Sequence, residues 1–202
     1  MICKFGFVDA YGYLLDTAAA DGVRPDSGRP RVLDAGSGTA AFALAFAHRF
    51  RKCEIDLLDL SGEMLTRGAE TLRTEGLVPG LICGDVRSLP DRPQRYDIIL
   101  SVHLIEHVEN AGAVLSALRA ALAPGGLLVL VVSKPHWCTA LVRLRWGHRA
   151  YRPAEMTALL SASGFDNIRT VRFPSGPPSR LSAGYIARLS QLKGHADADR
   201  DR

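Results

Sequence analysis

Long hydrophobic runs, paired cysteines and blocks of like charge are all missing from this 202-residue sequence. The longest run of leucine and valine, Leu127 to Val132, has the length of a buried strand. A membrane-spanning helix needs roughly 18 apolar residues or more. The first residues also lack the basic lead, apolar core and small-residue cleavage site of a secretory signal. These absences predict a soluble, cytoplasmic protein.

The four cysteines form no CxxC pair, which argues against a zinc site or a disulfide framework and predicts free thiols and no metal. The formal net charge of +4 is mild, so charge gives no reason to expect a nucleic-acid partner. Neither the oligomeric state nor a protein partner is indicated by composition.

Apolar segments of strand length alternate with amphipathic segments of helix length along the chain. The predicted strands are 31–35, 53–60, 81–86, 95–103, 127–133, 167–173 and 182–192; the predicted helices are 5–21, 40–50, 61–76, 109–122 and 152–165. The strands are nearly continuous apolar runs, typical of a parallel sheet covered by helices on both faces. The last two strands are joined by PSGPPSR without a predicted helix. We therefore predict a doubly wound, Rossmann-like α/β sheet of seven strands, with one antiparallel strand near the C-terminus.

A small-residue loop follows the first predicted strand, in the stretch VLDAGSGTA (32–40). A strand, a glycine turn and a helix in this order can bind a nucleotide, because glycine admits the ligand to the backbone. Gly36 and Gly38 also fit the dinucleotide pattern GxGxxG/A, and Asp59 lies 21 residues past Gly38, where a ribose-binding acid belongs. An ordinary tight turn remains the third interpretation.

Further motifs follow at regular spacing: LDLSGEML, GDV, YDIILSVHLIEHV and LRAALAPGGLLVLVV. Together with VLDAGSGTA, this ordered series resembles the class I S-adenosylmethionine-dependent methyltransferases, and is most similar to the small-molecule enzymes of the ubiquinone/menaquinone-biosynthesis type. The resemblance covers residues 31–133. It implies S-adenosylmethionine as cofactor, S-adenosylhomocysteine as product and a small-molecule acceptor methylated by direct displacement.

The resemblance also implies roles for individual residues. Asp34 is expected near the methionine amino group, Asp59 at both ribose hydroxyls and Asp85 at the adenine amine. The full set of cofactor-binding residues implied is Asp34, Gly36, Ser37, Gly38, Asp59, Leu60, Met64, Asp85, Val86, Ser101 and Val102. Ala40 departs from the family, which often has a third glycine there, and is expected to narrow the loop.

The stretch His103-Leu-Ile-Glu106-His107 also matches HxxEH, an inverted zinc-protease motif. A zinc site needs both histidines on one helical face, but His103 ends an apolar strand, so we do not predict zinc. In the methyltransferase interpretation, His103 is a candidate general base, because imidazole titrates near neutral pH. His107 is a second candidate, and a structural role for His107 and Glu106 is the alternative.

Residues 134–152 follow the fifth strand, and a segment there stands over the crevice at the carboxyl edge of the sheet. They are predicted to form a lid over the acceptor, with arginines suited to a carboxylate or phosphate. The candidate acceptor-binding residues are His136, Trp137, Trp146, His148, Arg149 and Tyr151, together with Tyr11 in the N-terminal helix. A peripheral membrane contact and a plain packed connector are the alternatives.

We predict one methyltransferase domain over residues 1–202. It comprises an N-terminal cap helix and loop (1–30), a cofactor-binding core (31–133), the lid segment (134–152), a C-terminal helix and hairpin (153–192) and a tail (193–202). A nicotinamide-dependent oxidoreductase and a cofactor-binding subunit without catalysis are the two alternative functions.

Overall fold

The computed structural model describes residues 6–20, 29–89, 96–136 and 149–189. The strands are β1 Arg31–Ala35, β2 Glu54–Asp59, β3 Gly80–Cys83, β4 Tyr96–Val102, β5 Leu122–Ser133, β6 Asp166–Val171 and β7 Ser182–Arg188. The helices are α1 Phe7–Ala20, α2 Ala41–Arg49, α3 Gly62–Arg73, α4 Ala111–Ala121, α5 Pro153–Ala162 and α6 Gly176–Leu181. Two single 3₁₀ turns cover Val86–Ser88 and Ile105–His107.

The strands form one seven-stranded sheet in the order β3-β2-β1-β4-β5-β7-β6. The first five strands pair in parallel, and β7 runs antiparallel to both β5 and β6. The chain winds from β1 outward to β3 and then returns to β4 beside β1. The crevice at the carboxyl ends of β1 and β4 is therefore the topological switch point, where ligands of such folds bind. The predicted doubly wound sheet with one antiparallel strand is confirmed.

Two apolar cores cover the two faces of the sheet. Helices α1, α2 and α3 pack on one face, with Leu14, Phe46 and Leu72 among the buried side chains. Helices α4 and α5 pack on the other, with Leu115 and Leu160 buried. Burial on both faces accounts for the continuous apolar sequence of the central strands.

Three local predictions were wrong. The linker before the last strand contains helix α6, whose first turn accommodates Pro177 and Pro178 because N–H groups there need no helical partner. Strand β5 begins at Leu122, not at residue 127, because the APGG segment forms an irregularity between two stretches of pairing with β4. The third strand ends at Cys83, since Asp85 accepts a hydrogen bond from the Arg87 amide and starts a 3₁₀ turn.

No helix within the four described ranges is long and apolar enough to cross a membrane.

Candidate active site

The glycine loop after β1 is fixed by backbone hydrogen bonds to the end of β2. The amides of Gly36 and Ser37 both donate to the carbonyl of Leu58, at 2.8 and 3.0 Å. Gly36 (φ +71°) and Gly38 (φ +49°) adopt the left-handed conformation that favours glycine. A Cβ added to Gly38 would meet no atom within 4 Å, so this side of the loop faces open space.

Asp59 connects this loop to the start of α3. Its Oδ2 accepts from the Gly38 amide at 2.9 Å, and its Oδ1 accepts from the Ser61 amide at 2.9 Å. Each carboxylate oxygen keeps a second acceptor position, so a vicinal diol can still be bound. Beside it, the Leu60 side chain is 73% exposed, an apolar surface on the rim of the crevice. Met64, one turn along, is half-buried and donates its amide to Ser61 Oγ.

Asp34 lies beneath the loop and is almost fully buried, at 2% exposure. Its Oδ2 accepts a hydrogen bond from the Ala43 amide in the first turn of α2, at 3.2 Å. Burial raises the pKa of Asp34 to about 7; the Ala43 bond opposes this rise and the nearby Asp59 charge adds to it. A ligand ammonium beside Asp34 would therefore find a carboxyl group that ionises near neutral pH.

The Asp85 carboxylate is engaged by a partner that the sequence analysis missed. The Arg87 side chain forms a two-pronged ion pair with it, and the Arg87 amide donates to Oδ1 at 2.8 Å. The side-chain bonds from Arg87, reinforced by its amide, lower the pKa of Asp85 to about 2. The following residue, Val86, is buried beside it. Any adenine contact at Asp85 would share this carboxylate with Arg87.

Ala40 takes the left-handed conformation, with φ +59°, and is fully buried. It therefore occupies a backbone position that glycine would adopt more easily. Its methyl group lies where a Cβ on Gly68 would come within 3.2 Å, which shows how tightly α3 packs under the loop.

Ser37 and Ser101 are both buried and do not present exposed hydroxyls to the crevice. The Ser101 hydroxyl donates to the Ala35 carbonyl at 3.0 Å and links β4 to β1. The Ser37 hydroxyl has no hydrogen-bond partner among the described residues. For Ser101, this placement favours a role in fixing the crevice over direct contact with the cofactor. Val102, the last residue of β4, is half-buried.

His103 follows β4 directly, in a left-handed conformation with φ +54°. Its Nδ1 lies 2.8 Å from Glu106 Oε1 and 3.2 Å from Ser133 Oγ. An ionised carboxylate only accepts hydrogen bonds, so Nδ1 carries the ring proton and Nε2 is left as the basic nitrogen. Sequence reasoning had assigned Glu106 a structural role. The structure pairs it with His103 as the group that sets the tautomer.

The Glu106 carboxylate is buried, at 1% exposure. Burial opposes its ionisation, yet the His103 hydrogen bond and charge and the Ser133 amide, 2.6 Å from Oε1, hold its pKa below the ordinary value. Oε2 has no protein partner among the described residues. The carboxylate therefore depends on His103 and the end of β5 for its stabilisation.

Helix α1 covers this edge of the site. The Phe7 ring meets the His103 ring edge-on at 5.9 Å, and the Tyr11 ring packs on Phe42 at 4.9 Å. Burial, together with the charge of Asp34, raises the pKa of Tyr11 to about 12. Tyr11 is thus placed near the cofactor acid, while Phe7, which the sequence analysis did not single out, contacts the candidate base.

The predicted acceptor segment is only partly described. His136 is half-buried after β5, and Arg149 is exposed and pairs with Glu155 at 3.0 Å. The Tyr151 side chain is 1% exposed and packs in the core on the α4 face, and its hydroxyl group has no hydrogen-bond partner among the described residues, so an acceptor contact at Tyr151 stays a prediction. Apolar packing against that core holds it inside. Trp137, Trp146 and His148 lie outside the described residues.

The zinc interpretation of HxxEH finds no support in this geometry. His107 is exposed at the end of a 3₁₀ turn, and its amide donates to the Leu104 carbonyl. His103 instead bonds Glu106. Within the described ranges, no group of three potential ligands could hold a metal ion.

The sheet order with its reversed β7, the glycine loop and the acid at the end of β2 define one class of protein. Residues 32–126 match the family model described as "Methyltransferase domain", which supports a domain of the class I S-adenosylmethionine-dependent methyltransferases. The predicted family is confirmed, and with it S-adenosylmethionine as the family's cofactor.

Curated relatives agree with this assignment. Over 123 residues, the chain is 32% identical to the ubiquinone/menaquinone biosynthesis C-methyltransferase UbiE of Shewanella piezotolerans, covering 59% of this chain and 48% of that protein. Over 118 residues it is 35% identical to the malonyl-[acyl-carrier protein] O-methyltransferase of Xylella fastidiosa, covering 57% of this chain and 38% of the relative. The chain thus spans less than half the length of these relatives.

Solved structures share the fold at low identity. The CurJ carbon methyltransferase superposes with a TM-score of 0.76 at 19% identity, covering 90% of this chain and 54% of that one. Magnesium protoporphyrin IX methyltransferase from Synechocystis, solved with bound S-adenosylhomocysteine, gives a TM-score of 0.71 at 20% identity. It covers 92% of this chain and 84% of its own.

Proposed function

We propose that this chain transfers the methyl group of S-adenosylmethionine to a small-molecule acceptor, with His103 as the general base. The observation that carries the proposal is that the glycine loop and His103, the candidate base, lie next to each other. Leu104 packs on Gly36, where an added Cβ would lie 3.1 Å from its Cδ1. The candidate base therefore stands one residue from the wall of the cofactor loop.

The residues of the crevice fit the cofactor. Gly38 leaves open space, Asp59 keeps acceptor positions for a ribose diol, and exposed Leu60 offers an apolar face for a base. Asp34 supplies a carboxylate for the methionine ammonium. When bound, S-adenosylmethionine supplies an activated methyl group on its sulfonium.

The chain's own residues then orient the acceptor and manage its proton. Holding two reactants in line at contact distance contributes about 7–11 kcal/mol to a displacement. With Nδ1 bonded to Glu106, the His103 ring has its Nε2 available to accept a proton from a hydroxyl or an acidic carbon. The half-buried ring, 28% exposed at the side chain, lies partly in reach of a ligand.

The test is calorimetric titration with S-adenosylmethionine, S-adenosylhomocysteine and NAD, followed by transfer of an isotope-labelled methyl group to a panel of phenols, carboxylic acids and active-methylene compounds. We expect micromolar binding of the first two ligands and labelled product from one acceptor class. Labelled transfer should fall about 10²–10⁴-fold in His103→Ala, the usual contribution of a general base.

The two alternative functions give different results. Binding of NAD alone would establish the nicotinamide enzyme and overturn the proposal. Tight binding of S-adenosylhomocysteine without transfer to any member of the panel would indicate the non-catalytic subunit. Unchanged transfer in His103→Ala would contradict the role of His103 as general base but not the proposed methyl transfer.

A further inference from the structure

A cavity of about 640 Å³ lies beside the exit of β5, within the size range of small-molecule sites. The final hairpin, which the sequence analysis did not connect with the acceptor, builds most of its wall. Its lining residues are His136, Ser175, Gly176, Pro177, Ser179, Arg180 and Leu181.

The end of β5 connects the cavity with His103, the candidate base. Ser133, the last residue of β5, bonds His103 through its hydroxyl, and Lys134 then donates its amide to the Leu181 carbonyl at 2.7 Å. On the other side, Gly6 lies against the start of α6, since an added Cβ would be 3.5 Å from Pro177. Gly6 immediately precedes Phe7, the residue that contacts the His103 ring.

Each charged side chain that the structure describes in the wall of this cavity is positive. Arg180 lines it and is exposed, and Lys134 Nζ donates to the Ser179 carbonyl at 2.8 Å behind it. Burial, together with the charge of Arg172, lowers the pKa of Lys134. No acidic side chain lines the cavity among the residues that the structure describes.

A second cavity differs from the first in its charge, since its walls carry both positive and negative side chains. It has a volume of about 440 Å³ and lies at the amino ends of the strands, far from the glycine loop. There Arg29 and Arg31 face Glu54 and Asp56, and Arg31 Nε lies 3.8 Å from Glu54 Oε2. Positive and negative side chains are equal in number in the cavity at the amino edge, whereas Arg180 is the one charged lining residue that the structure describes in the cavity at the carboxyl edge.

We propose that the cavity between the end of β5 and α6 holds the acceptor, and that the acceptor is a small organic anion whose carboxylate or phosphate group binds Arg180. This inference rests on the proposed methyl transfer. The guanidinium offers a fork of donors matched to either anion. The uncharged part of the acceptor would lie towards Pro177 and Leu181.

The test uses benzoate, phenyl phosphate and neutral benzamide as probes, titrated by ligand-observed NMR into protein saturated with S-adenosylhomocysteine. We expect at least one of the two anions to bind about tenfold more tightly than benzamide, as one charge-assisted contact would give. Preference for benzoate or for phenyl phosphate identifies the acidic group. Arg180→Gln should abolish the difference, and Arg180→Lys should keep part of it.

Arg73→Gln is the matched control, because Arg73 is equally exposed but ends α3 on another part of the surface. It should leave the anion preference unchanged. Equal binding of anions and benzamide, or a preference that survives Arg180→Gln, would overturn the anionic-acceptor inference. Failure to bind S-adenosylhomocysteine would instead overturn the proposed function, so the two failures are distinguishable.

Discussion

The cofactor side and the acceptor side of the crevice are built by different means. On the cofactor side, the Asp34 and Asp59 carboxylates are held by main-chain amides of neighbouring loops and helix starts. On the acceptor side, His103 is held by side chains, those of Glu106 three residues away and of Ser133 and Phe7 from other segments. Backbone-held groups tolerate change in their surroundings, whereas side-chain networks fail when one partner is lost.

The largest effect is expected from Asp59→Ala, which removes the acid of the backbone-held side. The Gly38 and Ser61 amides lose their acceptor, and the ribose loses its site, so S-adenosylhomocysteine affinity should fall at least about 100-fold, as loss of charge-assisted bonds predicts. Calorimetry measures this. Asp56→Ala, three residues earlier in β2, is the control and should retain affinity; equal loss in both variants would contradict the assignment.

Glu106→Gln tests the side-chain-held half. Without the carboxylate, the proton preference at His103 Nδ1 weakens, so the tautomer with a free Nε2 should become less populated and methyl transfer should fall roughly tenfold or more, as for other orienting partners. Nitrogen-15 NMR of the imidazole ring reads the tautomer directly. Glu109→Gln, exposed three residues further on, should change neither; an unaltered tautomer in Glu106→Gln would contradict the positioning role.

The pH dependence of cofactor binding tests the cofactor side alone, through the carboxyl group of Asp34. A ligand ammonium favours ionised Asp34, whose pKa is about 7, so affinity for S-adenosylhomocysteine should fall up to about tenfold per pH unit below that value. Titrations between pH 8 and pH 6 measure the slope. Asp34→Asn should bind more weakly and independently of pH, and a slope that persists in this variant would assign it to another group.

The same carboxyl group affects folding. Its pKa is raised above the unfolded value of about 3.9, so the native state holds the proton more tightly between those two pH values. The free energy of unfolding should therefore decrease as pH rises from about 4 to about 7. Urea titrations across this range should show the decrease, and Asp34→Asn should flatten it.

The smallest effect is expected from Gly68→Ala, because the added methyl group would crowd the glycine loop. The new methyl would lie 3.1 Å from the Gly38 carbonyl and from Leu57, so overpacking should cost about 1–3 kcal/mol. Denaturant unfolding measures it. Gly62→Ala in the same helix meets only Cys83 Sγ at 4.0 Å and should not destabilise; equal stability of both variants would show that the loop has room to move.

The difference between the cofactor side and the acceptor side also explains which features could be predicted from the sequence. The glycine loop was predictable because a strand, a glycine turn and a helix follow one another directly along the chain, whereas the roles of Asp34 and Asp59 were implied by the family resemblance. The doubly wound sheet and its one antiparallel strand were predictable from the apolar runs and from a link between the last two strands that is too short for a crossover connection. The small helix α6 inside that link escaped prediction, because two adjacent prolines indicate a loop unless the helix happens to start there.

The acceptor side was less predictable, because its contacts join distant segments. Glu106 was visible in HLIEH, but its bond to His103 depends on the left-handed turn at His103 and on the Ser133 amide 27 residues later. Phe7 and Arg180 lie near the two ends of the described chain, and no spacing relates them. The burial of Tyr151 was not predictable, because an aromatic residue in a basic segment does not reveal which face of the sheet it joins.

Strand β7 is made after β5 and β6, yet it lies between them in the sheet. During synthesis on the ribosome, the parallel strands β1 to β5 can therefore pair with one another before β7 exists. Until then, the edge of β5 that carries LLVLVV has no neighbouring strand. Unpaired apolar strand edges are the surfaces through which chains associate wrongly. A nascent chain that has not yet reached residue 182 is thus the form of this protein most in need of a chaperone.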